Sequence, residues 1–248
     1  HPDLVISVDT YRAEVADAVC AAGADLVNDT WAGADPGLAV VAARRGAGLV
    51  CSHVGGQVPR TDPHRVAYDD VVADVVTKTT ALAERAVAIG VRRDGILIDP
   101  THDFGKNTWH SLQLTRSLGE LVGTGWPVLV SMSRKDFVGE TLDIPVEERL
   151  PGTLAVTAVA AGLGGRVFRA HDVIASRHVL DMVAAIRVAA KLKQGVIVPM
   201  FADSASKYLS ESFWRSRIAE AVTAGTEIPT GVELVGLHMH IGSQVFVA

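Results

Sequence analysis

The sequence is poor in cysteine, has no long apolar run and carries no excess of basic residues. Its two cysteines, Cys20 and Cys51, predict two buried thiols in a reducing compartment and no disulfide. No apolar stretch approaches the roughly 20 residues that a membrane-spanning helix needs. The net charge of −5 argues against a nucleic-acid-binding surface, because such a surface carries a basic excess. We therefore expect neither a membrane nor a nucleic acid as a partner.

Apolar residues are present in sufficient number for a large core. They make up 48% of the 248 residues, and charged residues make up 21%, which fits one barrel or two small domains. No signal peptide opens the chain, and a strand is predicted within a few residues of His1. We expect a cytoplasmic chain that begins inside a domain, with an upstream segment missing or relocated.

One stretch, residues 96–106, combines an apolar strand with a cluster of polar groups. Its sequence, ILIDPTHDFGK, runs from three apolar residues into Asp99 and then into a turn that ends at Lys106. A short apolar run bounded by proline and glycine is typical of a strand buried on both faces. Proteins of the α/β class place their chemistry at the C-terminal ends of such strands. Because an unpaired carboxylate is costly there, Asp99 is predicted to have a polar partner or a ligand.

The chain before residue 192 repeats this arrangement six times. Each repeat has a strand, a polar strand end and a helix, and the longest helix is predicted over residues 68–89, with Gly90 as its C-cap. Alternating helices and buried strands predict a parallel sheet. Polar residues at every C-terminal strand end predict most of a TIM-type (β/α)8 barrel. The alternative, an open doubly wound sheet, is less favoured because no glycine-rich phosphate turn follows the first strand.

The predicted strand ends bring a mixed set of polar side chains to one edge of the sheet. They are Asp9, Asn28, His53, Asp99, Lys135, Arg169 and His171. Carboxylates and an amide can read a flat heterocycle that is rich in hydrogen-bond donors. Lysine, arginine and histidine can bind a phosphate or pyrophosphate. Both sets at one edge suggest a heterocycle that carries an anionic leaving group.

Structural roles are the alternative for several of these residues. Asp9 or Asn28 alone would more often cap a helix than bind a ligand. His53 fits a buried structural histidine and a ligand contact equally well. Asp99 and Lys135 could instead form a structural ion pair at the rim of the barrel.

For Arg134 and for a cluster of two histidines and an aspartate, no ligand-binding role is predicted. Arg134 is predicted to be a solvated charge at the rim. His102, Asp103 and His110 lie close together in sequence, but their spacing does not match that of a closed zinc site. No metal ligand is therefore predicted among the side chains.

Five motifs, in this order and spacing, resemble one enzyme family. They are SVDT, NDTWAG, DP-x₃-FGK, SRK-x₂-VGE and FRAHDV, and they extend from about Pro2 to about Lys191. The chain resembles dihydropteroate synthase of folate biosynthesis, in an actinobacterial-type branch. That family has a TIM barrel, often dimerises, and joins p-aminobenzoate to 6-hydroxymethyl-7,8-dihydropterin pyrophosphate with release of pyrophosphate.

The resemblance implies a role for each matched strand-end residue. The pterin ring would be bound by Asp9, Asn28, Asp99 and Lys135, p-aminobenzoate by Phe104, and the pyrophosphate by Arg169 and His171. Asp9, Asp99 and Lys135 would be the catalytic residues, since nearby carboxylates stabilise the cationic pterin methylene that forms as pyrophosphate leaves. Mg²⁺, bound through the substrate pyrophosphate, would ease that departure.

Parts of the family pattern are absent. The family's first two strands carry an Asn-Val-Thr-Pro-Asp-Ser run and a Gly-Gly-Glu-Ser-Thr-Arg loop, and neither is present; Thr101-His102-Asp103 replaces a glycine-rich turn. The alternative function is therefore a non-catalytic pterin-binding barrel, inactive because the N-terminal loops are missing. A pterin-handling methyltransferase is less favoured, because methyl transfer needs no pyrophosphate clamp of the SRK and RAHD kind.

The sequence changes in style after residue 191. The segment from Gly195 weakly resembles cysteine synthase-type pyridoxal-phosphate enzymes. Residues 232–244 resemble a strand of the diaminopimelate decarboxylase barrel, where the match to His240 stacks on the cofactor ring. That family's Schiff-base lysine has no match, so pyridoxal phosphate is not implied. We interpret the chain as chimeric or designed, with a barrel core at 1–191 and a tail at 192–248.

The tail is predicted to complete the barrel in permuted order. Strands over 196–201 and 233–241, joined by a helix over about 206–222, would bring the strand count to eight. Residues 196–201 would take the place of the family's first strand, and 233–241 that of its second. An unfilled barrel would expose two strand edges, which is a liability. The alternative is a disordered or loosely packed appendage.

Overall fold

A computed structural model gives the fold of residues 5–56, 59, 67–189, 237–238 and 245–247. The strands are β1 (Ile6–Asp9), β2 (Leu26–Asp29), β3 (Gly48–Ser52), β4 (Ile96–Asp99), β5 (Leu129–Val130), β6 (Val167–Ala170), β7 (Leu237–His238) and β8 (Val245–Val247). The helices are α1 (Ala13–Ala21), α2 (Gly37–Arg45), α3 (Val71–Ile89), α4 (Thr108–Arg116), α5 (Leu118–Val122), α6 (Asp136–Leu142), α7 (Leu150–Gly162) and α8 (Val173–Ala189). Single 3-10 turns cover Arg93–Gly95 and Val146–Glu148.

Strands β1 to β6 follow one another in the sheet in chain order. β1 to β4 pair in parallel, each with the next. A parallel bridge between Ile98 and Val128 continues the sheet towards β5, which pairs in parallel with β6. A doubly wound sheet would reverse its strand order part-way along the chain, and β1 to β6 show no such reversal. The prediction of an α/β fold with parallel strands in barrel order is confirmed.

The two tail strands pair with the two edges of this six-strand sheet. β7 lies within the predicted strand 233–241 and pairs in parallel with β1, at the position that was expected for that strand. β8 pairs with β6 in antiparallel orientation, although no strand was predicted over these residues. The chain between β7 and β8 is residues 239–244, which is too short for the crossover that a second parallel strand requires.

A different segment had been expected at the edge beside β6. A parallel strand over residues 196–201 was expected there, and β8 takes that edge in the opposite direction. Residues 196–201 and the helix expected over 206–222 lie outside the described residues. The prediction that the tail closes the barrel stays a prediction.

The side chains of the strands alternate between two apolar layers. On the outer face, Ile96, Ile98 and Val130 pack with the helices in the main core. On the inner face, a smaller cluster consists of Val50, Leu129 and Val167, with Leu26 and Leu97 packed against it. Alternation along a strand places successive side chains on opposite faces. The inner cluster therefore marks which strand residues point into the barrel interior.

The longest helix ends at the residue that the sequence predicts. α3 begins after Asp70, whose carboxylate accepts hydrogen bonds from the backbone of Val72 and Ala73 at 2.9 and 3.0 Å, and ends at Gly90 with φ 114°, as predicted. α4 and α5 are separate helices, because Ser117 between them leaves helical geometry at φ −97° and ψ 16°.

The structure also bears on the predictions about membrane-spanning helices and about the two cysteines. In the part of the chain that the structure describes, no helix is long and apolar enough to cross a bilayer. Cys20 and Cys51 are both free thiols, and Cys51 is buried. Burial raises the pKa of Cys51 to about 12, so this thiol stays protonated and unreactive. Two buried thiols were predicted; burial is confirmed for Cys51, whereas Cys20 is only partly buried.

Candidate active site

A polar layer lies next to the inner apolar cluster, at the C-terminal ends of the strands. Residues two apart along a strand share a face, so each inner apolar residue is followed by an inward polar one. The pairs are Leu26 and Asn28, Val50 and Ser52, Leu97 and Asp99, Leu129 and Ser131, and Val167 and Arg169. The parallel register also aligns Asp9 with Asn28 and Ser52 with Asp99. The predicted strand-end residues therefore meet at one mouth of the sheet.

Asp9 is held from two sides within this layer. Its Oδ1 accepts a hydrogen bond from Asn28 Nδ2 at 2.8 Å, and its Oδ2 accepts one from Arg169 Nη2 at 2.6 Å. The Asp9 side chain is 4% exposed and that of Arg169 is 15% exposed. β1 and β6 stand at opposite ends of the strand order, so this ion pair requires the sheet to curve round on itself. Two predicted pterin residues and one predicted pyrophosphate residue thus form a single network.

Asp99 is buried on the floor of the mouth with 3% of its surface exposed. Its Oδ1 accepts a hydrogen bond from the backbone N–H of Thr101 at 2.6 Å, which confirms the prediction of a polar partner. Burial raises the pKa of Asp99, and the positive charges of Lys135, Lys106 and Arg169 oppose that rise. The carboxyl group is therefore placed to exchange a proton or a hydrogen bond with a donor-rich ligand.

Lys135 reaches the same floor from the other side. Its ammonium donates to the main-chain oxygen of His102, in place of the ion pair with Asp99 that was the structural alternative. It also lies 4.5 Å from the ring centroid of Phe104, a cation–π contact. Trp31 meets the Phe104 ring edge-on at 6.4 Å. Burial lowers the pKa of Lys135.

Trp31 belongs to a turn that a buried carboxylate shapes. Asp29 accepts hydrogen bonds from the backbone of Trp31 at 3.0 Å and of Gly33 at 2.5 Å. Burial raises the pKa of Asp29 to about 6. The aromatic residue after a strand end, in the NDTWAG motif, was a signal for Trp31 that the sequence reasoning did not use.

A buried lysine, Lys106, was also missed as a site residue. Its ammonium donates to three main-chain oxygens, those of His53 at 2.9 Å, Thr101 at 3.1 Å and Phe104 at 2.8 Å. Only 6% of the residue is exposed, and burial followed by the charge of Lys135 lowers its pKa to about 7. A lysine that directly follows a buried strand and a tight turn was the available signal.

His53 has a structural role. It is 1% exposed, its backbone N–H donates to Thr101 Oγ1 at 3.1 Å, and its Nε2 lies 2.7 Å from Asp74 Oδ2 on α3. Burial and the nearby Lys106 lower the pKa of His53 to about 4, so the ring is neutral around pH 7. Of the two interpretations of His53, the contacts favour the structural one.

The predicted pyrophosphate side of the mouth contains His171 and an unexpected ion pair. The backbone N–H of His171 donates to Ser133 Oγ at 3.1 Å, and its Nδ1 lies 2.8 Å from the same oxygen. Burial, Arg169 and Arg134 lower the pKa of His171. Arg134, predicted to be a solvated charge at the rim, is 32% exposed, and Asp172 also binds its guanidinium with two contacts of 3.1 Å. The bidentate geometry was not readable from sequence because it joins two different strand ends.

No metal centre is formed by side chains in the described part of the chain. No group of three or more histidine, cysteine, aspartate or glutamate residues there is arranged to hold a metal ion. His102 is buried beside Thr115 at 3.2 Å, and Asp103 accepts from Ser111 Oγ at 2.9 Å. His110 closes a capping box with Asn107 at the start of α4. These three residues, considered above as metal ligands, have separate structural contacts.

A family model described as "Pterin binding enzyme" matches residues 1–171. This chain belongs to the pterin-binding enzyme family. The match covers all six strand ends of the polar layer, and it confirms at family level the resemblance that the five motifs indicated. It also covers Lys106 and Trp31, which the sequence reasoning did not assign.

Relatives of this chain include proteins named as inactive. It is 63% identical over 191 residues to a Mycobacterium leprae protein named "Inactive dihydropteroate synthase 2", an alignment that covers 75% of this chain and 66% of the relative. It spans 60% of the length of a Mycobacterium tuberculosis relative of the same name. The chain thus spans less than two thirds of the length of these curated relatives.

Solved structures of dihydropteroate synthase share the fold. The Thermus thermophilus enzyme in complex with 4-aminobenzoate is 38% identical with a TM-score of 0.70, over 74% of this chain and 74% of that one. The same enzyme in complex with 6HMPPP gives 38% identity and a TM-score of 0.70, over 74% of this chain and 72% of that one. At this level of identity the chain has the α/β barrel-type fold of these enzymes.

Proposed function

We propose that this chain binds 6-hydroxymethyl-7,8-dihydropterin pyrophosphate at the strand-end mouth and joins it to p-aminobenzoate, as a transferase of the dihydropteroate synthase type. One observation carries the proposal: Asp9, Asn28 and Arg169 form one buried network beside Asp99. Acceptors suited to a donor-rich ring and a cation suited to an anion lie together there. The named complexes of the Thermus thermophilus enzyme support this choice of ligands.

Asp9 and Arg169 bind each other in this structure, so ligand binding must exchange their partners. A pterin ring would replace the guanidinium and the amide on Asp9, and a pyrophosphate would take the guanidinium of Arg169. A ligand that carries both groups replaces both halves of the buried pair at once. A ring without pyrophosphate would separate Arg169 from this carboxylate in a partly buried position and offer no anion in exchange, which is unfavourable.

The remaining roles are those that the family resemblance implies for each side chain. Asp99 would accept hydrogen bonds from the ring on the floor of the mouth, and Lys135 would move from the His102 oxygen to the ring's oxo and nitrogen edge. Phe104, 41% exposed, would flank the aromatic amine. Asp9 and Asp99 would stabilise the positive charge on the pterin methylene as pyrophosphate leaves, and His171 would bind the departing group.

Magnesium would enter only with the pyrophosphate. Both carboxylate oxygens of Asp9 already accept hydrogen bonds, and no cluster of ligating side chains lies in the described part of the chain. These residues do not fit a resident magnesium site. Hard oxygen ligands for Mg²⁺ would come from the phosphates, and no role in the reaction is assigned to a protein-held ion. A homodimer and a cytoplasmic location stay predictions.

A non-catalytic pterin-binding barrel is the second candidate function. The relatives at 60% and 63% identity are named inactive dihydropteroate synthase 2, which favours it. In this case the same mouth would bind the pterin pyrophosphate without turnover. Binding and turnover must therefore be measured separately.

The test combines calorimetric titration of the pterin pyrophosphate with an assay of p-aminobenzoate-dependent pyrophosphate release. Asp99→Asn keeps the shape of the floor and removes its charge, so we expect at least a tenfold loss of affinity, as for loss of about one charge-assisted hydrogen bond. Asp94→Asn, at an exposed aspartate before β4, is the matched control and should bind like the parent. Binding with pyrophosphate release supports the transferase, and binding without release supports the second candidate. Equal affinity of Asp99→Asn and the parent would refute both.

A further inference from the structure

We propose that Lys106 is a positioning residue that fixes the turn after β4 and, through that turn, holds Lys135 at the floor of the mouth. Its own ammonium does not need to touch a ligand. The consequence for pterin binding rests on the proposed function, whereas the effect on Lys135 does not.

The contacts of Lys106 use its full donor capacity. An ammonium has three N–H donors and no acceptor, and the three oxygens within 3.1 Å belong to His53, Thr101 and Phe104. One oxygen lies at the end of β3 and two lie in the turn after β4. A single buried charge therefore ties two neighbouring strand ends together, and every donor is satisfied.

The turn after β4 needs stabilising contacts because two of its residues have an unfavourable backbone conformation. Thr101 and Asp103 have φ values of 51° and 68°, in the left-handed region that is unfavourable for a residue with a side chain. Side chains also hold this turn: Asp103 accepts from the backbone N–H of Phe137 at 3.2 Å and from Ser111. In this conformation the oxygens of Thr101 and Phe104 converge on the ammonium of Lys106.

Lys135 depends on the same turn for both of its contacts. It donates to the oxygen of His102 and lies over the ring of Phe104. His102 lies between the two turn residues that Lys106 binds, and Phe104 is itself one of them. If the turn relaxes, the oxygen and the ring that hold Lys135 move together.

The charge of Lys106 changes within an accessible pH range, which gives a second way to weaken its hydrogen bonds to the two strand ends. With its pKa lowered to about 7, Lys106 loses a proton as the pH rises through neutrality, and a neutral amine has two N–H donors for three oxygens. The titratable groups that act on it or respond to it are Lys135, Asp99, Asp103, Asp74, His53, His102 and His110. Of these, His102 and Asp103 belong to the turn itself, and Lys135 is the group outside the turn whose position the proposal predicts to change.

The experiment measures the reactivity of individual lysines. The full chain and a Lys106→Met variant are acetylated with a limiting amount of acetic anhydride, and mass spectrometry gives the rate at Lys135 relative to an added lysine peptide. Met keeps the approximate length of the side chain and removes all three donors. We expect the rate at Lys135 to rise about fivefold in the variant, as for loss of one ordinary hydrogen bond, while the rate at Lys78 stays constant.

Lys78→Met is the matched control. Lys78 is half exposed and donates to Asp74 at 2.8 Å on the outer surface, so its loss should leave Lys135 unchanged. A general loosening of the fold would raise the rates at Lys78 and Lys135 together in the Lys106→Met variant, and that result would overturn the proposal. An unchanged rate at Lys135 would overturn it too.

The parent chain provides a test that needs no variant. Its acetylation profile for Lys135 should show an inflection near pH 7, where Lys106 deprotonates, and Lys106→Met should lack it. Should Lys106→Met fail to fold, the parent profile decides: an inflection supports the proposal, and its absence overturns it. These rates do not depend on pterin binding. If the chain binds no pterin pyrophosphate, the proposed function is wrong, and the acetylation rates still decide whether Lys106 positions Lys135.

Discussion

The ion pair between Asp9 and Arg169 allows a quantitative prediction about stability. Both side chains are nearly buried, at 4% and 15% exposure, and their atoms lie 2.6 Å apart. Arg169→Met would remove the guanidinium and leave the carboxylate of Asp9 buried beside the Asn28 amide. Removing one partner of a buried pair costs about 3 kcal/mol or more, because the other charge stays desolvated. For a chain of this size that corresponds to a decrease of about 6 to 12 °C in Tm.

A double-mutant cycle separates this effect from loss of packing. Arg169→Met would leave the charge of Asp9 buried without the guanidinium, and Asp9→Asn removes that charge. The double variant should therefore lose less free energy of unfolding than the two single variants lose in sum. We expect an interaction free energy of about 1 to 3 kcal/mol from urea unfolding. Costs that add within about 0.5 kcal/mol would show that the two side chains act independently, and the reasoning from burial would be wrong.

The pair between Arg134 and Asp172 is the matched control for this cycle. Its atoms are 3.1 Å apart in a bidentate arrangement, but the side chains are 32% and 28% exposed. Water screens such a pair, so geometry alone gives it little weight. Arg134→Met and Asp172→Asn should each change the unfolding midpoint little and should add. A large interaction at this rim pair would contradict the role assigned to burial.

Two further predictions concern the floor of the mouth. Burial lowers the pKa of His53 from 6.5 to about 4, so the unfolded chain binds more protons than the folded chain between these pH values. His53 therefore contributes of the order of 3 kcal/mol to the free energy of unfolding above pH 6.5. This contribution is lost as the pH falls towards 4. His53→Gln should flatten the rise of unfolding free energy with pH in that window, as measured by urea unfolding against the parent, and an unchanged slope would contradict it. Gly105→Ala would place a Cβ 2.5 Å from the oxygen of Val54 at φ 60°, so we expect a cost of more than about 2 kcal/mol, above the left-handed strain alone. Gly56→Ala, at φ 77° with open space around it, should show only that strain of about 1–2 kcal/mol in thermal unfolding, and equal costs at both glycines would refute the clash.

Much of the barrel and its polar layer was predictable from local sequence pattern. Asp9, Asn28, Asp99 and Arg169 each end a short apolar strand, and the two-residue alternation of a strand places them on the inner face. Because the carboxyl ends of parallel strands meet at one edge, knowing the fold class was enough to bring them together. The helix end at Gly90 was similarly local.

Contacts between distant elements were not predictable in the same way. The partner of His53 is Asp74 on α3, and the partner of Arg134 is Asp172 after β6; neither is close in sequence. Lys106 had no visible role because its partners are main-chain oxygens, which every residue offers. The direction of β8 followed from the short chain between β7 and β8, and no periodicity in the sequence encodes it.

The ion pair across the mouth also bears on how the molecule reaches its native state. Asp9 and Arg169 are 160 residues apart in sequence, so their contact closes a very long loop, and contacts of such separation form slowly and late. The first five strands can assemble through neighbours alone, but Asp9 gains this partner only when β6 docks. We therefore expect a chain that ends before β6 to lack the Arg169 side of the candidate site.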